Sequence, residues 1–140
     1  MDVVEEDNER IISILIRHLK EQGYTRIALF TQERVQSSAK DIRRSQFLKS
    51  VKNQLGYDAE KDIYCVTGGD IEKTKAELGK FMRSVRKDEI PAVIGANTVI
   101  TMLLYRAIKN MEYFMPEDLG LCGTNAWSWN ESLTWMELLR

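Results

Sequence analysis

The 140-residue chain has one histidine, two cysteines, two prolines and a formal net charge of −1. Each scarcity removes a class of function. The one histidine, His18, falls within a helical stretch, where a solvated or packed imidazole is expected ahead of a catalytic one. Cys65 and Cys122 each sit in an apolar strand candidate and lie far apart in the chain. That is the pattern of buried free thiols in a reducing compartment, and of neither a disulfide framework nor a metal site. The 20 basic and 21 acidic residues are interspersed, so no basic footprint argues that these residues themselves hold nucleic acid. No apolar run reaches the ~18 residues of a membrane span. The opening MDVVEEDNER lacks the apolar core of a signal peptide, so a cytoplasmic location is expected. There is no nucleophile elbow, no Gly-x-Gly-x-x-Gly after a strand and no metal-ligand cluster. An enzyme, a cofactor and a metal are therefore not expected.

What is present reads as one α/β domain, residues 1–140. Its centre of organisation runs from Ile90 to Trp129. Ala92 to Gly95 is a short apolar run of strand length, bounded by Pro91 and by Asn97-Thr98. Asn97 or Thr98 suits the N-cap of the next helix, because a side-chain oxygen there accepts an unpaired first-turn N–H. Val99, Ile100, Leu103, Leu104, Ala107, Ile108 and Met111 recur at the spacing of one buried helix face. Pro116 ends the connection, and Leu119 to Cys122 supplies another strand, closed by Gly123. Two parallel strands joined by a helix make a βαβ unit, whose ligands bind beyond the carboxyl ends of the strands, where Asn97 and Asn125 would both lie.

Earlier in the chain, Asp2 to Glu6 offers a weak strand, and Asp7 or Asn8 an N-cap for a helix carrying Ile11, Ile12, Leu15, Ile16 and Leu19 to Gly23. Arg26 to Phe30 is the first clear central strand, followed by a polar loop from Thr31 to Lys40. Ser37 or Ser38 caps a second helix, marked by Arg44, Phe47, Leu48, Val51 and Leu55 and ending at Gly56. Asp62 to Val66 is the next strand. Gly68-Gly69-Asp70 then forms a turn and cap for a third helix, with Ile71, Leu78, Phe81, Met82 and Val85 on its buried side; an anion site at that turn is the weaker reading. Ser132 to Leu139 reads as a strand or short helix. The alternation, βαβαβαβαβ, predicts a parallel sheet with helices on both faces.

The polar side chains at the strand ends are the candidate chemistry. Ser37 and Ser38 follow one strand, Arg43 lies in the first turns of the helix behind them, Asn97 follows a second strand and Asn125 a third. A guanidinium fork with two amides suits a hydroxyl-rich ligand such as a sugar, or a small planar base. Trp127 and Trp129 offer ring faces for stacking, against the alternative of core or interface packing. For each asparagine, a capping role competes evenly with ligand contact.

These pieces, in order, resemble the effector-binding domain of the lac/galactose-repressor family of bacterial transcription regulators. HLKEQGYTRIALF is similar to the family's HL-x-x-x-GH-x-x-I-A, and SSAKDIRRSQFLKSV to its Ser-rich loop and R-x-x-G-F. PAVIGAN, MPEDLGLCG and SLTW follow at family-like spacing. The resemblance implies a periplasmic-binding-protein-like, three-layer Rossmann or flavodoxin-like fold, of which this chain is the second lobe. The first lobe and a DNA-binding helix-turn-helix are expected in sequence outside these residues, with Asp2 to Glu6 as a crossover strand.

By position, the resemblance implies effector contacts at Arg43, Asn97 and Asn125, with Ser37 next and Trp127 as a possible stacking face. It implies a homodimer through the helix after Ala-Asn, with Met102, Tyr105 and Arg106 exposed, and through the segment from Trp129 to Leu133. The implied partners are a sugar-like effector and, through the separate domain, operator DNA, with no membrane involved. Departures bear on the ligand. Asn125 stands where the family has an acidic acceptor for two hydroxyls, which argues against an ordinary hexose. Thr98 replaces Asp, Gln46 replaces Gly and Tyr24 replaces His, and Ile71 stands where some members stack an aromatic ring. Two rivals remain: a periplasmic sugar-binding protein of a transporter or sensor, and a small α/β enzyme.

Overall fold

A computed structural model of the chain describes residues 3–32, 38–66, 70–115 and 117–123, with the backbone alone for residues 3–11, 32 and 38–43. Short, nearly continuous apolar runs in RIALF, IYCV, PAVIG and GLCG build four strands, β1 (Arg26–Gln32), β2 (Ile63–Val66), β3 (Pro91–Gly95) and β4 (Gly120–Gly123). All pair in parallel, in the order β2-β1-β3-β4. Pro91 opens β3, the strand position where its missing N–H does least harm.

Four helices connect them: α1 (Val3–Glu21), α2 (Ser38–Leu55), α3 (Ile71–Ser84) and α4 (Thr98–Asn110). Because successive strand residues face opposite sides, β1 divides its side chains between two cores. Ile27 and Leu29 join Ala92, Ile94 and Cys122 under Ile12, Ile16, Leu19, Phe47 and Val51 of α1 and α2. Ala28 and Phe30 join Val66, Val93 and Leu121 under Leu78, Phe81, Ile100, Leu104 and Ile108 of α3 and α4. Phe47 and Phe81 are fully buried, one in each layer, and each contributes about 1.5–3 kcal/mol of transfer free energy. The expected parallel sheet with helices on both faces is the observed architecture.

The helix ends follow their local chemistry. Gly23 adopts φ +100, and the Tyr24 N–H bonds Leu19 O while the Gly23 N–H bonds Lys20 O, the paired bonds of a glycine-terminated helix. Gly56, φ +78, ends α2. Asp70 caps α3, its carboxylate accepting the Lys73 N–H at 3.0 Å. At α4 the left-handed position falls to Glu112, φ 61, with the Tyr113 N–H on Ile108 O.

Two expectations are corrected. Val3 to Glu6 is the first part of α1, not a strand, and Asp7 and Asn8 lie inside that helix rather than capping it. The Val3-Val4 pair has β propensity only where a neighbouring strand receives it, whereas Glu5, Glu6 and Asp7 are favoured near a helix amino terminus. Val99 is 55% exposed instead of buried. It lies in line with Met102 and Arg106 at i+3 and i+7, off the face defined by Ile100, Leu104 and Ile108. Arg44 is exposed and reaches Glu60 at 3.4 Å, leaving Phe47 and Val51 as the inward residues of α2.

Candidate functional site: the crevice between β1 and β3

From β1 the chain passes through α2 to β2 on one side of the sheet order. From β3 it passes through α4 to β4 on the other. Helices α2 and α4 lie on opposite faces, so their starts diverge at the carboxyl ends of β1 and β3. Such a reversal opens a crevice, and open α/β sheets bind ligands there. β1 and β3 stay paired up to Phe30 and Gly95, and the Ala96 N–H extends the contact by donating to Phe30 O at 2.9 Å. Thr31, buried, lies on one side of that point and Asn97, half-buried, on the other.

Asn97 is the N-cap of α4. Its Oδ1 accepts the Ile100 N–H at 2.9 Å, and its carbonyl accepts both the Thr101 N–H at 2.9 Å and the Thr101 hydroxyl at 2.7 Å. The capping role weighed for Asn97 in the sequence is therefore real. It engages the side-chain oxygen, while the amide nitrogen donates to no partner among the described residues. A residue can thus cap the helix with its oxygen and keep an N–H₂ for a ligand hydroxyl.

The close seating of α4 depends on two glycines. A Cβ on Gly95 would stand 2.8 Å from both the Cα and the N of Thr101, and one on Gly123 would stand 2.6 Å from the Thr101 methyl. Gly95 and Gly123 are register partners in the β3–β4 ladder. Sequence reading took Gly95 as the last residue of one strand run and Gly123 as the residue that closes another. Their real constraint, the approach of a helix across two strand ends, is a tertiary contact.

Of the other expected ligand residues, Arg43 lies on the second turn of α2, with only its backbone described. Ser37, Asn125, Trp127 and Trp129 lie outside the described residues, as do Gly68, Gly69 and the segment from Ser132 to Leu139. On α4, Met102 is 43% exposed, Arg106 is exposed and Tyr105 is half-buried, with the Lys109 ammonium 5.6 Å from the Tyr105 ring centroid. Val99 joins this outward stripe.

The main charged cluster missed by sequence reading lies at the other end of the sheet. Arg26, the first residue of β1, contacts Asp62, Glu89 and Ser84 there, far from the crevice along the strand direction. Neither thiol pairs: Cys122 is buried, which pushes its thiol pKa well up, and Cys65 is half-buried on the edge strand β2. The His18 Nε2 is buried within the last turn of α1, with no hydrogen-bond partner among the described residues. No group of three or more His, Cys, Asp or Glu side chains suited to a metal occurs among the described residues, and no described helix is long and apolar enough to cross a membrane.

Residues 16–134 match the periplasmic binding protein-like domain family. The chain belongs to that family. A relative in Bacillus subtilis, the HTH-type transcriptional regulator KdgR, is 23% identical over 129 residues, covering 92% of this chain and 38% of that protein. The fold is shared with a probable maltose operon transcriptional repressor, malR, from Staphylococcus aureus: TM-score 0.70, 16% identity, 88% of this chain and 44% of that one. It is shared equally with a LacI family transcriptional regulator from Lactobacillus casei solved with bound glucose: TM-score 0.64, 16% identity, 83% and 43%. The chain thus spans less than half the length of the proteins it matches. The family and these likenesses agree with the repressor-type effector domain that the motifs resemble.

Proposed function

We propose that this chain is the second lobe of the effector-binding domain of a transcription regulator of the lac/galactose-repressor type. It takes a small polar molecule, a sugar or sugar derivative, in the crevice between β1 and β3, and catalyses no reaction. The observation that carries this reading is Asn97: an amide donor held by a helix cap at the topological reversal of the sheet, within a matched family and in a chain similar to KdgR. Arg43, Ser37 and Asn125 are the further contacts, with Trp127 offering a ring face.

Regulation follows from differential binding. An effector that prefers one arrangement of two lobes shifts the population toward it, and that shift alters DNA affinity in a separate domain. The protein acts in the cytoplasm as a homodimer, with Met102, Tyr105 and Arg106 of α4, joined by the exposed Val99, and Trp129 as the interface residues. The reading is tested with the full product of the gene, by fluorescence anisotropy on DNA flanking that gene. Operator binding that a sugar releases or strengthens supports it. A secreted product without DNA affinity moves the chain to the second reading, a periplasmic sugar-binding protein, which the matched family also accommodates.

A further inference from the structure

We propose that Thr101 is a positioning residue for the crevice, setting the Asn97 amide with its hydroxyl and the end of β4 with its methyl. This rests on the reading that Asn97 meets the effector. A threonine bonding the carbonyl four residues back is common in helices and by itself marks nothing. Here the carbonyl belongs to the N-cap, and the threonine sits in a notch made for it.

The notch is the glycine pair. Gly95 and Gly123 are opposite one another in the ladder, and at each the space a Cβ would fill is taken by Thr101. At Gly95 that space holds the Thr101 hydroxyl, Cα and N; at Gly123 it holds the hydroxyl, methyl and Cβ. Thr101 is 2% exposed, so its contacts are with protein and not with water. Its Oγ1 also donates to Asn97 O at 2.7 Å, beside the backbone bond from its own N at 2.9 Å.

Three constraints therefore meet on Asn97: one bond to its side-chain oxygen, two to its carbonyl, and a helix start pinned across both strand ends. Rotation of the Asn97 amide would break the Ile100 bond, and displacement of its backbone would break the Thr101 pair. The amide nitrogen is presented at a fixed place because Thr101 is fixed. The methyl, meanwhile, sets the distance from α4 to the end of β4 at Gly123.

The two halves of the side chain can be separated by substitution. Thr101→Val keeps the shape and removes the hydroxyl; Thr101→Ser keeps the hydroxyl and removes the methyl. In nitrogen-15 NMR of the 140-residue chain, Thr101→Val is expected to move the Asn97 side-chain N–H₂ signals. It should also lower the hydrogen-exchange protection of the Ile100 amide by up to about tenfold, the scale of one net hydrogen bond. The Gly123 amide should move much less, because the valine methyl fills the place of the hydroxyl against it. Thr101→Ser is expected to return the Asn97 signals to their original positions and to move Gly123 instead.

Both variants should melt within a few degrees of the parent. Unmoved Asn97 and Ile100 signals in Thr101→Val overturn the proposal. So do changes spread evenly along α4 in both variants with a parallel loss of Tm, which is what a purely structural threonine gives. No effector is used, so a chain that binds no sugar yet shows the split retains this proposal while the functional reading fails.

Discussion

Arg26 grips both carboxylate oxygens of Asp62, Nε to Oδ2 at 2.7 Å and Nη2 to Oδ1 at 2.8 Å. The remaining N–H groups reach Glu89 Oε1 at 3.0 Å, Ser84 O at 3.1 Å and Ser84 Oγ at 3.0 Å, so all five donors are used. The guanidinium also lies 5.5 Å from the Phe81 ring centroid. One side chain thereby joins the starts of β1, β2 and β3 to the end of α3. Asp62 is 3% exposed, so removing Arg26 strands a buried carboxylate. Arg26→Met is expected to cost about 3 kcal/mol in urea unfolding, whereas a surface pair such as Lys75–Glu72 contributes well under about 1 kcal/mol.

The same cluster sets an acid limit. Glu89 is held below the usual carboxylate range, first by the Arg86 backbone N–H at 2.9 Å and then by Arg26. Its stabilisation is complete above the free glutamate pKa near ~4.3 and is lost as the pH falls through the lower folded value. Glu89→Gln should therefore lower Tm at neutral pH and flatten its fall between about pH 5 and 3.

At the other extreme of pH, Tyr57 governs. Its hydroxyl accepts the Ile27 N–H at 2.8 Å and donates to Ile27 O at 3.2 Å, on the side of β1 where β2 has not begun. Burial pushes the phenol pKa up to about 12. A raised acid of this kind stabilises the fold below the free value near ~10 and ceases to do so as the pH rises through the folded value. Tyr57→Phe is expected to cost about 1–3 kcal/mol at neutral pH, because two strand groups lose their partner, and to weaken the alkaline loss. Chemical denaturation at pH 7 and pH 11 checks both.

Gly95→Ala and Gly123→Ala should both destabilise, but for separable reasons. The added methyl at Gly95 meets the Thr101 hydroxyl and also its backbone Cα and N, which no side-chain change can move. At Gly123 it meets the threonine side chain. A double-mutant cycle with Thr101→Ala is expected to recover more of the loss for Gly123→Ala, where only side-chain atoms are met, than for Gly95→Ala, where the backbone clash remains, with a difference in coupling of about 1 kcal/mol.

How far the sequence could lead is visible in particular residues. Gly23, Gly56 and Asp70 announced helix ends because their roles are local, settled by one φ angle or one side-chain bond. Ile27, Leu29, Ala28 and Phe30 announced a strand buried on both faces by their unbroken apolar run. The place of Asn97, after β3 and at the cap of α4, was legible too, since it depends only on a strand end and one side-chain bond. Arg26, Asp62 and Glu89 were not legible: they are 36 and 63 positions apart from Arg26, and nothing local in a charged residue says that it will be desolvated. Val3 to Glu6 misled because a β-branched pair reads as strand until the neighbour that would pair with it is shown to be missing among the described strands.

The exposed stripe of α4 gives a direct test of self-association. Val99 and Met102 are 55% and 43% exposed, and burying both in a dimer core is favourable by about 25 cal/mol per Å² of apolar surface covered. Met102→Glu is expected to shift sedimentation of the full gene product toward the monomer while leaving its circular dichroism unchanged. An unaltered dimer would move the interface elsewhere.

The central claim, that Asn97 presents an amide donor to a sugar-like effector, is tested most directly by Asn97→Asp in the full gene product. Aspartate caps a helix as well as asparagine does, so the fold should persist, but it replaces the N–H₂ donor with an acceptor. The measurement is the concentration of sugar needed for half-maximal change in operator binding, found first for the parent by screening hexoses and sugar acids. An increase of about tenfold or more at unchanged Tm is the predicted result, the scale of one lost polar contact. A response equal to the parent's, or a parent protein whose DNA binding no such compound alters, would contradict the account.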